Sequence, residues 1–259
     1  MAAADRAPFF PRDAVIRRVN GEGVLLLGGG RAVLMQIAHP LVAKGVAEHS
    51  DFERDPFGRL IATLNAMTAV VFGSRERSQR TVAAMQTVHD RVAGDGYRAN
   101  DPELLQWVYA TLIDTALDIH SRFLRPLGTA EAEQFYEESL VVAEILGVPR
   151  SIQPPTLANF HQYVDHMVET VEVSDDARRL SHAVLHPPAP LPARPVVDPL
   201  FLVMRHLTAG LLPPRLREGF GLGWDVPRQV ALDGLERWSR LTLPRVPVAL
   251  RHILTNTLR

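Results

Sequence analysis

The chain has 259 residues, 46% of them hydrophobic, with a formal net charge of −1 and no cysteine. That apolar content excludes a disordered or fibrous protein, and the interspersed charges leave no electrostatic footprint for nucleic acid or an anionic membrane. Without thiols there are no disulfides, thiolate nucleophiles, cysteine zinc sites, iron–sulfur clusters, or thiolate-ligated or covalently attached haem.

The opening stretch MAAADRAPFFPRDAVIRRVN lacks the basic segment followed by an apolar run that an export signal needs. Residues 24–46 are the most apolar stretch, but GGGR, His39-Pro40 and Lys44 interrupt it, which makes a poor membrane span. The expected location is cytoplasmic. Pro40 disfavours helical geometry at His39, so a helix breaks there and a short one runs on to about Glu48. In DPFGRLIATLNAMTAVVFG, Asp55 caps, Pro56 takes the first helical position and Gly73 stops the helix. The next helix is predicted from Ser74 to Gly94. Asp101 and Pro102 open a long helix toward Pro126. Thr129 opens another, with glutamates in its first turn and a stop at Gly147 and Pro149.

Thr156 and Ser174 cap two more helices. A proline-rich connection over 187–199 then separates a main body, residues 1–186, from residues 200–259, whose three further helices pack on that body. These three are PLFLVMRHLTAGLL, PRQVALDGLERWSRL and VALRHILTNTL. Alternating runs long enough for a strand are missing, as is a glycine-rich phosphate loop. The expected fold is all-α, one helical domain over 1–259.

Candidate chemistry centres on His89. Val82, Met85, His89 and Val92 share a helical face, so the imidazole stands in an apolar stripe where its nitrogens need partners. A carbonyl, a carboxylate or a metal would each serve. Arg59 and Thr63 lie one turn apart on the same face and border an apolar wall continued by Ala66 and Val70. His39 and His49 flank the short helix that follows Pro40. His182 and His186 have metal-compatible spacing, but there is no HExxH, Pro187 truncates the helix, and no Glu-x-x-His occurs anywhere in the chain. Asp114 and Asp118 share a face and read as solvated. GxSxG is absent. A histidine in an apolar stripe of an all-α chain without cysteine leaves non-covalent haem as one candidate beside an ordinary core histidine.

The ordered segments QIAHPLVAKGVAEHSDFERDPFGRLIATL, VHDRVAGDGYRANDPELLQWVYATL and LLPPRLREGFG resemble the MpaB-type oxygenase and latex-clearing protein family over most of the chain. The resemblance implies an all-α protein with a globin-like core and non-covalent haem b. It makes His89 the iron ligand and places Arg59 and Thr63 near the haem, with His39 matching the family's HP histidine. Rubber-cleaving members carry a lysine just before that threonine, where this chain has Ala62, and they carry export signals that are missing here. The implied function is a haem-dependent oxygenase acting with O2 on a small apolar or aromatic intracellular molecule, of the kind that cleaves a carbon–carbon double bond to two carbonyls. The alternatives are a haem-binding carrier or sensor without turnover, and a helical enzyme that has lost the haem.

Overall fold

Side-chain caps set the start of several helices. In the computed structural model the described residues are 7–49, 56–187 and 194–252, without the side chains of 56, 57, 59, 60 and 194–197. Helix α1 (Val15–Gly21) leads through a 3-10 turn (Gly23–Gly28) into α2 (Gly29–Ala38) and α3 (Pro40–His49). Helices α4 (Pro56–Phe72) and α5 (Arg75–His89) follow, then the two-residue strands β1 (Ala93–Gly94) and β2 (Tyr97–Arg98). The body continues with α6 (Pro102–Phe123), α7 (Thr129–Ile145), α8 (Leu157–Thr170) and α9 (Asp175–Leu185). Helices α10 (Arg194–Leu211), α11 (Pro214–Gly219), α12 (Val226–Thr242) and α13 (Val248–Arg251) complete it.

The expected caps Ser74, Asp101, Thr156 and Ser174 each accept a backbone N–H of the first turn, from Arg77, Glu103, Asn159 and Ala177 respectively. Such caps contribute about 1 kcal/mol each. Asp55 lies outside the described residues, as do residues 253–258 of the last predicted helix.

Two boundaries differ from expectation. Helix α5 stops at His89 instead of Gly94, because residues 93–98 form an antiparallel β1–β2 hairpin whose turn uses the positive φ of Gly96, 80°. Asn100 fixes that stop by donating to the Gln86 carbonyl at 3.2 Å and to Asp90 at 2.7 Å. Helix α10 begins at Arg194, inside the expected proline-rich connection, and carries Pro199 within it. Pro195 falls in the first turn, where a missing N–H costs nothing.

The long helix α6 is the axis of the core. Trp107, Tyr109, Ala110, Ile113 and Ala116 are buried toward α2, α7 and α8. Its far end, Ile119 and Phe123, meets Leu207 and Leu211 of α10 and Leu232 of α12 in a second, smaller core. Ser239 of α12 donates to the Phe123 carbonyl at 2.8 Å and closes that end. Helix α2 is buried almost all round and packs on α3, α6, α9 and α10. At His39, which is extended (φ −70°, ψ 121°), the chain bends by 101° into α3. Among the described residues no single helix is long and apolar enough to cross a membrane.

Helix α2 carries the one charge of its sequence, Arg31, into the interior. The guanidinium donates to the Leu211 carbonyl (2.8 Å), to Thr115 Oγ1 (2.6 Å) and to Asp114 (2.6 Å), and it lies 3.6 Å from Asp118. Asp118 also pairs with Arg122 at 2.8 Å. Asp114 and Asp118 are therefore structural counter-ions, a correction to the expectation that they are merely solvated.

Glycine is required where α2 meets α10, because a Cβ on Gly30 would fall 2.0 Å from Thr208 Oγ1. Gly30→Ala is expected to destabilise the protein by roughly 1–3 kcal/mol through overpacking. Most of that loss should return in the Gly30→Ala/Thr208→Ala double variant. Urea unfolding of both checks this, and equal loss in the two would show that the contact is not the cause.

Candidate functional site

His89 is the last residue of α5, half-buried, with its Nδ1 shielded from solvent. Along the expected face Val82 is buried and Met85 half-buried; Val92 falls beyond the helix end but remains packed against the core. The imidazole thus shares an apolar face at the helix C-terminus. Its main-chain carbonyl accepts the Val92 N–H at 2.9 Å, which starts the turn into the hairpin.

That hairpin is clamped by the second half of α3. Tyr97 is buried and donates to Glu48 at 2.5 Å, and burial together with Glu48 pushes its hydroxyl pKa up to about 12. Lys44 donates to the Asp95 carbonyl at 3.1 Å, and His49 Nε2 lies 3.1 Å from the Ala93 carbonyl. Gly45 lets the Tyr97 ring approach, since a Cβ there would lie 3.1 Å from it. His49 is accordingly a clamp residue. His39 sits at the other end of α3, a helix length of about 15 Å away. Its ring is half-buried, its Nδ1 is shielded with no hydrogen-bond partner among the described residues, and burial lowers its pKa.

Thr63 is half-buried on α4, in a stretch where Leu64, Ala66 and Met67 are also half-buried while Ile61 and Ala62 are exposed. Toward the C-terminus the same helix becomes fully buried at Ala69, Val70 and Val71. The side chain of Arg59 lies outside the described residues. Helices α4 and α5 pack on one another and are joined through Gly73, where a Cβ would fall 2.4 Å from the Ala69 carbonyl oxygen. Arg59 and His89 lie 14 and 15 residues from the Gly73-Ser74 connection, with Thr63 one turn nearer to it than Arg59. The far part of this helix pair presents Ile61 (55% exposed) and Val88 (60% exposed) to solvent.

The remaining histidine pair stacks, with the His182 and His186 rings 4.4 Å apart. Among the described residues no group of three or more His, Asp or Glu side chains gathers in a metal-binding arrangement. Sequence reasoning missed Arg31 and a cavity of about 310 Å³ between α2, α9 and α10 that includes Arg205 and Thr208. The available signal was a lone arginine inside GVLLLGGGRAVLMQIA and a second in FLVMRHLTAG. That cavity shares no lining residue with His39, Thr63 or His89.

A family model described as ER-bound oxygenase mpaB/B'/Rubber oxygenase, catalytic domain, matches residues 16–241. No curated protein and no solved structure matches the chain.

Proposed function

Because the chain belongs to the mpaB/rubber oxygenase catalytic-domain family, we propose that it is a haem b-dependent oxygenase acting with O2 on a small apolar or aromatic molecule. The observation that carries the proposal is the family match together with a half-buried imidazole, His89, at the end of a helix on an apolar face. The donor set fits the group: a neutral imidazole is an ordinary axial donor to haem iron, and a porphyrin needs apolar side chains around it. Met67, one turn from Thr63, and Met85, one turn from His89, supply such side chains on the two helices concerned.

When bound, haem would supply an iron centre at which O2 can react. His89 would hold that iron through Nε2, with its Nδ1 turned away from solvent. Thr63 and Arg59 would supply hydrogen-bond donors where negative charge develops on oxygen. Ala62 brings no amine to the position where rubber-cleaving relatives have lysine, so the site would lack that ammonium and Arg59 would be its cation. Apolar walls would exclude water and select a hydrocarbon substrate. Oxidative cleavage of a carbon–carbon double bond is the reaction to assay first. It breaks one C=C bond, places one oxygen atom on each carbon and needs no external reductant.

The test is the absorption spectrum of the full chain purified from haem-supplemented cells, with iron quantified on the same sample. A Soret band at a one-to-one haem ratio, and O2 consumption that depends on an added alkene, are expected. A colourless protein that shows no saturable spectral change on titration with hemin overturns the proposal. A Soret band with no O2 consumption across apolar alkenes and aromatics would make the protein a carrier or sensor.

A further inference from the structure

The cavity between α2, α9 and α10 holds about 310 Å³ and is walled by Leu26, Val33, Val184, Phe201 and Met204. Leu200, 57% exposed, and Leu26, 37% exposed, also line it, which gives the cavity an apolar lip. Its size lies at the lower end of the range for small-molecule sites. Gly29 and Gly30 form one wall, so α2 presents bare backbone to the space.

One lining residue does not belong in a hydrocarbon wall. Arg205 is half-buried and its Nε is shielded from solvent, with no hydrogen-bond partner among the described residues. Among the described residues no carboxylate lines the cavity. Asp198, two turns earlier on α10, is exposed and makes no ion pair with it among the described residues. The contrast with Arg31 is informative: that guanidinium, buried in the neighbouring layer, is met by Asp114, Thr115 and the Leu211 carbonyl. A shielded guanidinium N–H is costly to leave without an acceptor. Thr208, buried on the same face of α10 one turn further on, adds a hydroxyl.

We propose that this cavity is a second ligand site, which takes a single-chain amphiphile with a carboxylate head. The carboxylate accepts from Arg205 and the hydrocarbon chain lies among Leu26, Val33, Phe201 and Met204. Arginine suits this role because its planar fork can engage both carboxylate oxygens. The site is separate from the helix pair that carries Thr63 and His89, and its occupancy requires no haem.

The test is isothermal titration of the full chain with sodium decanoate, decan-1-ol and decyltrimethylammonium. Decanoate is expected to bind saturably at one site, with the alcohol and the cation at least about tenfold weaker, the ratio a charge-assisted hydrogen bond supports. Arg205→Gln should weaken decanoate by roughly 10–100-fold without lowering the melting temperature, because the Arg205 Nε gives up no hydrogen-bond partner among the described residues. Val33→Phe, which fills the cavity from the α2 side, should abolish binding of all three probes. Decyl sulfate binding as tightly as decanoate would widen the head group to any monoanion and overturn the carboxylate assignment. No saturable decanoate binding, equal affinity for decan-1-ol, or an unchanged affinity in Arg205→Gln would overturn the site itself.

Discussion

His89→Ala is expected to yield a protein with wild-type helicity that no longer shows a haem absorption band. The side chain is half-buried at the last position of α5, beyond the fully buried Val82 and outside the α6 core. Truncating it should change stability by no more than about 1 kcal/mol. The effect on cofactor affinity is of another order. Partners that merely orient a metal ligand are worth roughly 10–100-fold in affinity, and loss of the ligand itself should exceed that. Added imidazole should restore a band to His89→Gly, which a purely structural role for the residue would not produce. Thr63→Val makes the complementary case, since it should keep the band and lower alkene-dependent O2 consumption by roughly 10²–10³-fold if the hydroxyl stabilises developing charge on oxygen. A full-strength band in His89→Ala would remove the basis of the haem assignment.

The parts of the fold that were legible in the sequence are those fixed by local chemistry. Ser74, Asp101, Thr156 and Ser174 cap helices because their side-chain oxygens reach N–H groups two or three residues away, and Pro40 forces His39 out of the helix by a clash with its immediate neighbour. The end of α5 was misplaced because it is set by longer-range contacts. Asn100 holds Gln86 from fourteen residues away, and Glu48 holds Tyr97 across forty-nine. The β1–β2 hairpin is too short to carry an alternating pattern, so no periodicity announced it.

The same distinction governs the candidate sites. His89 is legible as an imidazole in an apolar stripe and Thr63 as a hydroxyl beside one, because helical spacing alone puts them there. Arg31 is not, because its acceptors lie 83, 84 and 180 residues along the chain. The Arg205 cavity exists only once α2, α9 and α10 have converged. A sequence can show that an arginine lies in an apolar helix; whether a carboxylate meets it depends on the packing of distant elements.

Arg31→Met should strongly destabilise the protein. It leaves Asp114 and Asp118 without their buried cation and removes the donors to Thr115 Oγ1 and the Leu211 carbonyl. Breaking a buried pair from one side costs about 3–5 kcal/mol, because the stranded charge retains its desolvation penalty. Arg31→Met/Asp114→Asn should recover part of that loss, and Asp118 should tolerate the change best through its second partner, Arg122, at 2.8 Å. Urea unfolding of the single and double variants gives the coupling, and a loss below about 1 kcal/mol in Arg31→Met would show that the network contributes little. The position of Arg31 adds a second consequence. It follows Gly30 directly on α2 and bonds the C-terminal carbonyl of α10, so it holds together two of the elements that wall the Arg205 cavity. Decanoate affinity should therefore fall in Arg31→Met under conditions where the protein remains folded. The proposed haem site lies on α4 and α5, apart from these elements, so a haem band at His89 should survive.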